Sequence, residues 1–80
     1  MLLLATYPSS HAALAAEKLC KGAGLQVELI PVPRQIHSAC GFCLLVEVQA
    51  GTELPGAPES LWRVLEPAPG TVRKRYEPWP

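Results

Sequence analysis

The sequence predicts an α+β domain, and three observations predict it. A short apolar run is followed by an Ala-rich segment with helical spacing. Two apolar segments of strand character come next, separated by a proline-bounded loop. A weaker helix-then-strand pattern closes the chain. With 80 residues there is room for one domain only, here read as residues 1–77 with a tail at 78–80. A chain of this size buries only about 60% of the surface that its unfolded form exposes, so its core is thin. A homodimer is compatible with that thinness.

Taken in order, Leu2 to Thr6 is an apolar run that fits a buried strand, and Tyr7-Pro8 ends it. Ser9 or Ser10 can cap a helix by accepting from its first free backbone N–H groups. His11 to Lys21 is that helix, rich in good helix formers. Ala12, Ala15, Ala16, Leu19 and Ala23 form its expected buried stripe. Lys18 and Lys21 suit its C-terminal end, and Gly22 or Gly24 stops it. Leu25 to Leu29 alternates apolar and polar residues as a strand does, with Ile30 at its end. Pro31-Val32-Pro33 forces an extended exit. Cys43 to Val48, beginning near Phe42, is the strongest strand signal in the chain. Ala50-Gly51 breaks it. Pro58 opens a second, short helix in which Leu61, Trp62 and Leu65 share a face, and Pro67 ends that helix. Thr71 to Glu77 is a basic, β-prone edge strand. The order β-α-β-β-α-β predicts a two-layer ferredoxin-like sandwich, an antiparallel sheet with both helices on one face.

The formal net charge is zero, so nothing steers the chain towards nucleic acid. Arg73-Lys74-Arg75 is read as a charged strand edge rather than an RNA contact. The apolar start is too short for an export signal, and no stretch is long enough to span a membrane. The expected location is cytoplasmic with free thiols. Three cysteines are an odd number and do not make a pure disulfide framework.

Cys40-Gly41-Phe42-Cys43 is the most chemically loaded stretch. Fully extended, its two cysteines stand about 10 Å apart with side chains on opposite faces. A disulfide needs their Cα atoms within about 7 Å, so joint use requires a turn at Gly41. The preferred reading puts Cys40 on the loop and Cys43 in the sheet, packed as a small apolar residue. Arg34 and His37 share the loop with Cys40 and are placed to stabilise a thiolate, and Gly41 leaves the neighbouring backbone open. Spacing alone leaves a reactive and a purely structural Cys40 equally open. Cys20 is read as packing on the helix, His11 as a solvated first-turn residue, and Glu17 as a solvated helix residue. A zinc site from Cys40, Cys43 and His37 lacks further ligands at the usual spacing. No metal and no cofactor are expected.

Ala16-Glu17-Lys18-Leu19, then Leu29-Ile30-Pro31-Val32-Pro33-Arg34, then Ile36-His37-Ser38-Ala39-Cys40-Gly41 form a specific succession. Over about Leu3 to Val48 the chain resembles a family of small bacterial selenium/sulfur carrier-like domains. The resemblance implies that Cys40 is the family cysteine, with Arg34 and Gly41 beside it, and it supports the two-layer fold. It also implies selenium or sulfur handling. The chain is then a carrier more than an enzyme, holding a persulfide or selenopersulfide on Cys40 between a donor protein and an acceptor enzyme. The alternative is a thiol redox or metal-binding module using Cys40 and Cys43. Cys43 falls where an aliphatic strand residue is expected, and the Pro-rich stretch from Leu54 to Gly70 departs from the usual polar helix region.

Overall fold

The structure, a computed structural model, describes residues 1–38, 40–49, 54–67, 69–70 and 74–79. Among them the chain forms β1 (Leu2–Thr6), α1 (Ser10–Gly22), β2 (Gln26–Pro31), β3 (Phe42–Glu47), β4 (Ser60–Leu65) and β5 (Arg75–Pro78). All neighbouring strands pair antiparallel, in the order β2-β3-β1-β4-β5.

Thr6 ends β1, and Ser9 supplies the cap of α1, its hydroxyl accepting from the Ala12 N–H at 3.1 Å. Lys21 stands in the last turn, where a cation suits the carbonyl end. Gly24 follows with φ +80°, a left-handed conformation that only glycine adopts without strain, and this turns the chain into β2. Because α1 connects two strands that flank β3, the helix lies across β2 and β3. Its buried stripe is Ala13, Ala16 and Cys20, with Ala12 partly covered. Leu19, expected in that stripe, is 53% exposed. The helix is turned so that small side chains meet the sheet, which lets it pack closely.

Strand alternation sorts the sheet into two faces. Leu3, Ala5, Leu44 and Val46 face the helix, joined by Tyr7 and Val48 just beyond the strands. Leu4 and Cys43 face the other way, where Ile36 from the β2–β3 loop covers them together with Trp62, Val64 and Tyr76. Each face thus has its own small core.

The expected two-helix sandwich is not what forms. The segment after Pro58 is strand β4, not a helix, and it pairs with β1 from Leu3↔Arg63 to Thr6↔Ser60. The physical reason is visible in the side chains. Trp62 and Val64 pack on the Leu4 face while Leu61 packs on the helix face, an alternation of two that a single helical stripe cannot satisfy. Between Pro58 and Pro67 there are also too few residues for a stable helix, and Trp and Val favour strands. Without this strand β1 would be an open edge. The Thr6 hydroxyl, fully buried, shares a 2.6 Å hydrogen bond with Ser60, whose oxygen also accepts from the Trp62 indole N–H at 2.9 Å.

The place of a second helix is filled by smaller pieces. Leu54 and Trp79 pack into the core under α1. Gly56, with φ +87°, carries the chain past Ala16, where an added Cβ would stand 3.4 Å from that side chain. Pro78 pairs with Trp62, and the Trp79 N–H donates to the Leu61 carbonyl at 3.0 Å. Of the expected last strand, Thr71–Arg73 lie outside the described residues. So do Ala39, the Ala50-Gly51 break and Thr52–Glu53 of the following loop.

Two substitutions separate this packing from the stripe that periodicity suggests. Leu44→Ala, in the central strand at full burial, is expected to cost about 2–5 kcal/mol of stability. Leu19→Gln, on the exposed side of α1, is expected to change stability by no more than about 0.5 kcal/mol. Urea unfolding followed by circular dichroism measures both, and equal losses would contradict the observed helix rotation.

Candidate functional site

The loop between β2 and β3 is tied at its base. The Val32 N–H donates to the Gly41 carbonyl at 3.0 Å, extending the ladder one step past the Pro31↔Phe42 pair. Within the loop, the Ile36 N–H donates to the Pro33 carbonyl at 3.0 Å, making a turn that drops Ile36 onto the sheet face away from the helix. Ser38 then holds the next bend, its hydroxyl accepting from the Cys40 N–H at 3.2 Å. A serine two residues before the amide it accepts from is a local device for tight bends.

These restraints turn Cys40 towards the start of α1. Its sulfur lies 3.7 Å from the Ser10 hydroxyl, and the Phe42 N–H donates to it at 3.4 Å. The sequence places this thiol on an open bend; the structure tucks it in, leaving 6% of the residue exposed. The other two cysteines are sealed at 0%, so Cys40 is the one cysteine with accessible surface. All three are free thiols.

The thiol lies against the first turn of α1. The N-terminal end of α1 carries partial positive charge from its unpaired N–H groups. Its first turn holds no acidic side chain to neutralise that charge. The Phe42 N–H adds a fixed donor. Of the other residues singled out in the sequence, Arg34 and His37 are exposed on the same loop, and among the described residues neither makes a hydrogen bond or ion pair with Cys40. Gly41 is exposed, and a Cβ added there would meet nothing within 4 Å. Next to it Phe42, a large apolar side chain two positions after the thiol, is exposed at 44%.

Cys43 is differently placed. It lies on the face opposite the helix, fully buried, with its thiol donating to the Pro31 carbonyl at 3.9 Å. Burial first, and proximity to Cys40 second, push its pKa up to about 11. Burial likewise pushes the Tyr7 phenol up to about 12, with Cys20 adding to the effect. Cys20 is packed under α1, and burial raises its pKa as well. Among the described residues no group of three or more His, Cys, Asp or Glu is arranged to hold a metal ion. No helix among them is long and apolar enough to cross a membrane.

Sequence reasoning missed Ser10 and Phe42. Ser10 was legible as a cap candidate, but nothing local links it to a cysteine thirty positions later; only the fold brings them together. Phe42 reads as an ordinary strand residue, and its exposure follows from lying at the strand's first position beyond the helix end. Ser38 carried a local signal in its Ser-x-Cys spacing.

A nearly buried thiol beside a serine hydroxyl and a backbone N–H at a helix start is the candidate site of this small α+β domain. Residues 2–54 match the family described as "Putative Se/S carrier protein-like". That is more than half of the chain, and the protein belongs to this family. Comparison with curated proteins and with solved structures gives no match.

Two measurements follow from the burial pattern. Native alkylation with peptide mapping should label Cys40 well before Cys20 and Cys43, and all three at similar rates in denaturant; simultaneous native labelling would contradict the sealed positions. The raised Cys43 and Tyr7 values also set a pH dependence. Each group is held neutral in the fold above the pH at which it ionises in the unfolded chain. Stability is therefore complete below about pH 9 and falls as pH rises from 9 through 11 for Cys43, then from 10 through 12 for Tyr7. Cys43→Ala should remove the first part of that alkaline loss in a chemical-denaturation series. An unchanged series would remove Cys43 as its source.

Proposed function

We propose that this chain is a carrier that holds a chalcogen atom on Cys40, as a persulfide or selenopersulfide, between a donor protein and an acceptor enzyme. One observation supports the choice of residue above the others. Cys40 alone among the three cysteines keeps accessible surface, and its sulfur has two hydrogen-bonding groups around it. It also lies inside the segment matched to the family.

The chemistry needs no external oxidant. The Cys40 thiolate attacks the terminal sulfur of a donor's persulfide. The new sulfur–sulfur bond forms as the donor's own bond breaks, and the electron pair leaves on the donor cysteine, which takes up a proton. Discharge reverses the roles: an acceptor nucleophile takes the terminal atom and Cys40 leaves as the thiolate. The same exchange works for selenium. Nucleophilic attack requires the thiolate, and the Ser10 hydroxyl and the Phe42 N–H are the groups placed to hydrogen-bond it.

In this reading Gly41 keeps the approach to the sulfur open, consistent with the free space where a side chain would project. Arg34 and His37 are exposed on the loop, where an arriving partner can meet them. No observation favours joint use of Cys40 and Cys43 as a redox or metal pair. Cys43 is buried, sits on the opposite face of the sheet and keeps its proton up to about pH 11.

Incubation with a cysteine desulfurase and cysteine, followed by mass spectrometry, tests the proposal. An added sulfur atom on Cys40 is expected, absent in Cys40→Ser and retained in Cys43→Ala. Arg34→Ala and His37→Ala should slow loading while leaving alkylation of the unloaded thiol unchanged. Failure of Cys40 to gain an atom from any of several sulfur and selenium donors would overturn the carrier reading.

A further inference from the structure

Ser10 occupies a position that its helix does not need it to fill. The capping duty belongs to Ser9, which accepts from the Ala12 N–H through its side chain and from the Ala13 N–H, at 3.0 Å, through its carbonyl. Ser10 is exposed, and among the described residues the hydrogen bond its hydroxyl makes is the one to the Cys40 sulfur at 3.7 Å. Cys40 is held at that spot from the other side, by Ser38 on its amide and by the Phe42 N–H on its sulfur. The sulfur therefore lies between a fixed backbone donor and a hydroxyl that can rotate.

We propose that Ser10 is the positioning residue of the thiol site. A serine hydroxyl can donate or accept. It accepts from the Cys40 S–H when the thiol is protonated and donates to the sulfur when the proton leaves, so the sulfur stays aimed in both states. The use of this device in chalcogen transfer rests on the carrier reading above. Loading turns the Cys40 sulfur into the inner, uncharged atom of a persulfide and moves the negative charge one atom outward. The Phe42 N–H is fixed at the first position of β3 and cannot follow that shift. The Ser10 hydroxyl, on one rotatable bond at the exposed start of α1, can. Ser10 thus supports the unloaded thiolate and then the terminal sulfur or selenium.

Ser10→Ala and Ser10→Thr in the full chain test this. The rate of Cys40 alkylation by iodoacetamide, resolved by peptide mapping, is expected to fall about threefold to tenfold at neutral pH in Ser10→Ala, the scale of one ordinary hydrogen bond lost. Ser10→Thr should restore it, because the hydroxyl returns. The thermal unfolding midpoint should stay unchanged in both variants, which a merely structural serine would not combine with altered reactivity. At strongly alkaline pH the Ser10→Ala rate should reach or exceed that of the unsubstituted chain. A Ser10→Ala rate equal to or faster than the original at neutral pH overturns the proposal, since the hydroxyl would then be idle or a cover. A persulfide on Cys40 should also decay faster in Ser10→Ala than in Ser10→Thr, and equal lifetimes overturn the second role. The alkylation result is independent of loading. If it holds while no donor loads the unsubstituted chain, Ser10 keeps its positioning role and the carrier reading is what falls.

Discussion

The site depends on a single constraint, the attachment of both α1 and the Cys40 loop to the same strand. β3 runs between β2 and β1 and is paired on both sides. Its Leu44 and Val46 receive the small side chains of α1, while Phe42 fixes where the loop must end. Ser10 and Cys40 stand far apart in the chain, yet neither can move without sliding on β3. A slip of one residue in that ladder would turn Leu44 and Val46 to the wrong face and carry the thiol away from the helix start. The geometry around sulfur is therefore inherited from the core rather than built by the loop itself.

The first half of this arrangement was legible in the residues. The apolar run Leu2–Thr6, the Ala-rich helix after a serine cap, the alternation from Gln26 and the apolar block at Leu44 each carry a strong local signal, and each formed close to the expected place. The helix rotation was less legible. Alanine is cheap to bury and cheap to expose, so the four alanines of α1 do not define which side faces the sheet. Contact with Leu44 and Val46 decided it, and Leu19 was left outside. The second half was misread for a related reason. Leu61, Trp62 and Leu65 fit helical spacing, and in so short a stretch that spacing also fits a strand buried on both faces. The open edge of β1, which cannot be seen locally, selected the strand.

The CxxC pair shows how spacing can suggest chemistry that packing then separates. Cys40 precedes the strand and turns towards α1; Cys43 lies within it and points the other way, under Ile36. Sequence reading had placed one on the loop and one in the sheet, and had weighed their joint use as an alternative. It had also looked to Arg34 and His37 for the charge around the sulfur. In the fold, the groups nearest the sulfur are a hydroxyl and an amide, neither of which can be told from its countless counterparts without the tertiary contacts.

The two indole rings of this protein lie on opposite faces of its sheet. Trp62 lies in β4 with its N–H tied to Ser60, and Trp79 closes the core beyond β5. The loop that carries the thiol reaches the first of them, because Ile36 packs in the same cluster as Trp62. Emission from Trp79 thus reports whether the chain beyond β5 is docked on the core, and emission from Trp62 reports whether Ile36 and its loop stay seated on the sheet. The closing of the core and the seating of the loop can each be followed by intrinsic fluorescence, with no label attached to either.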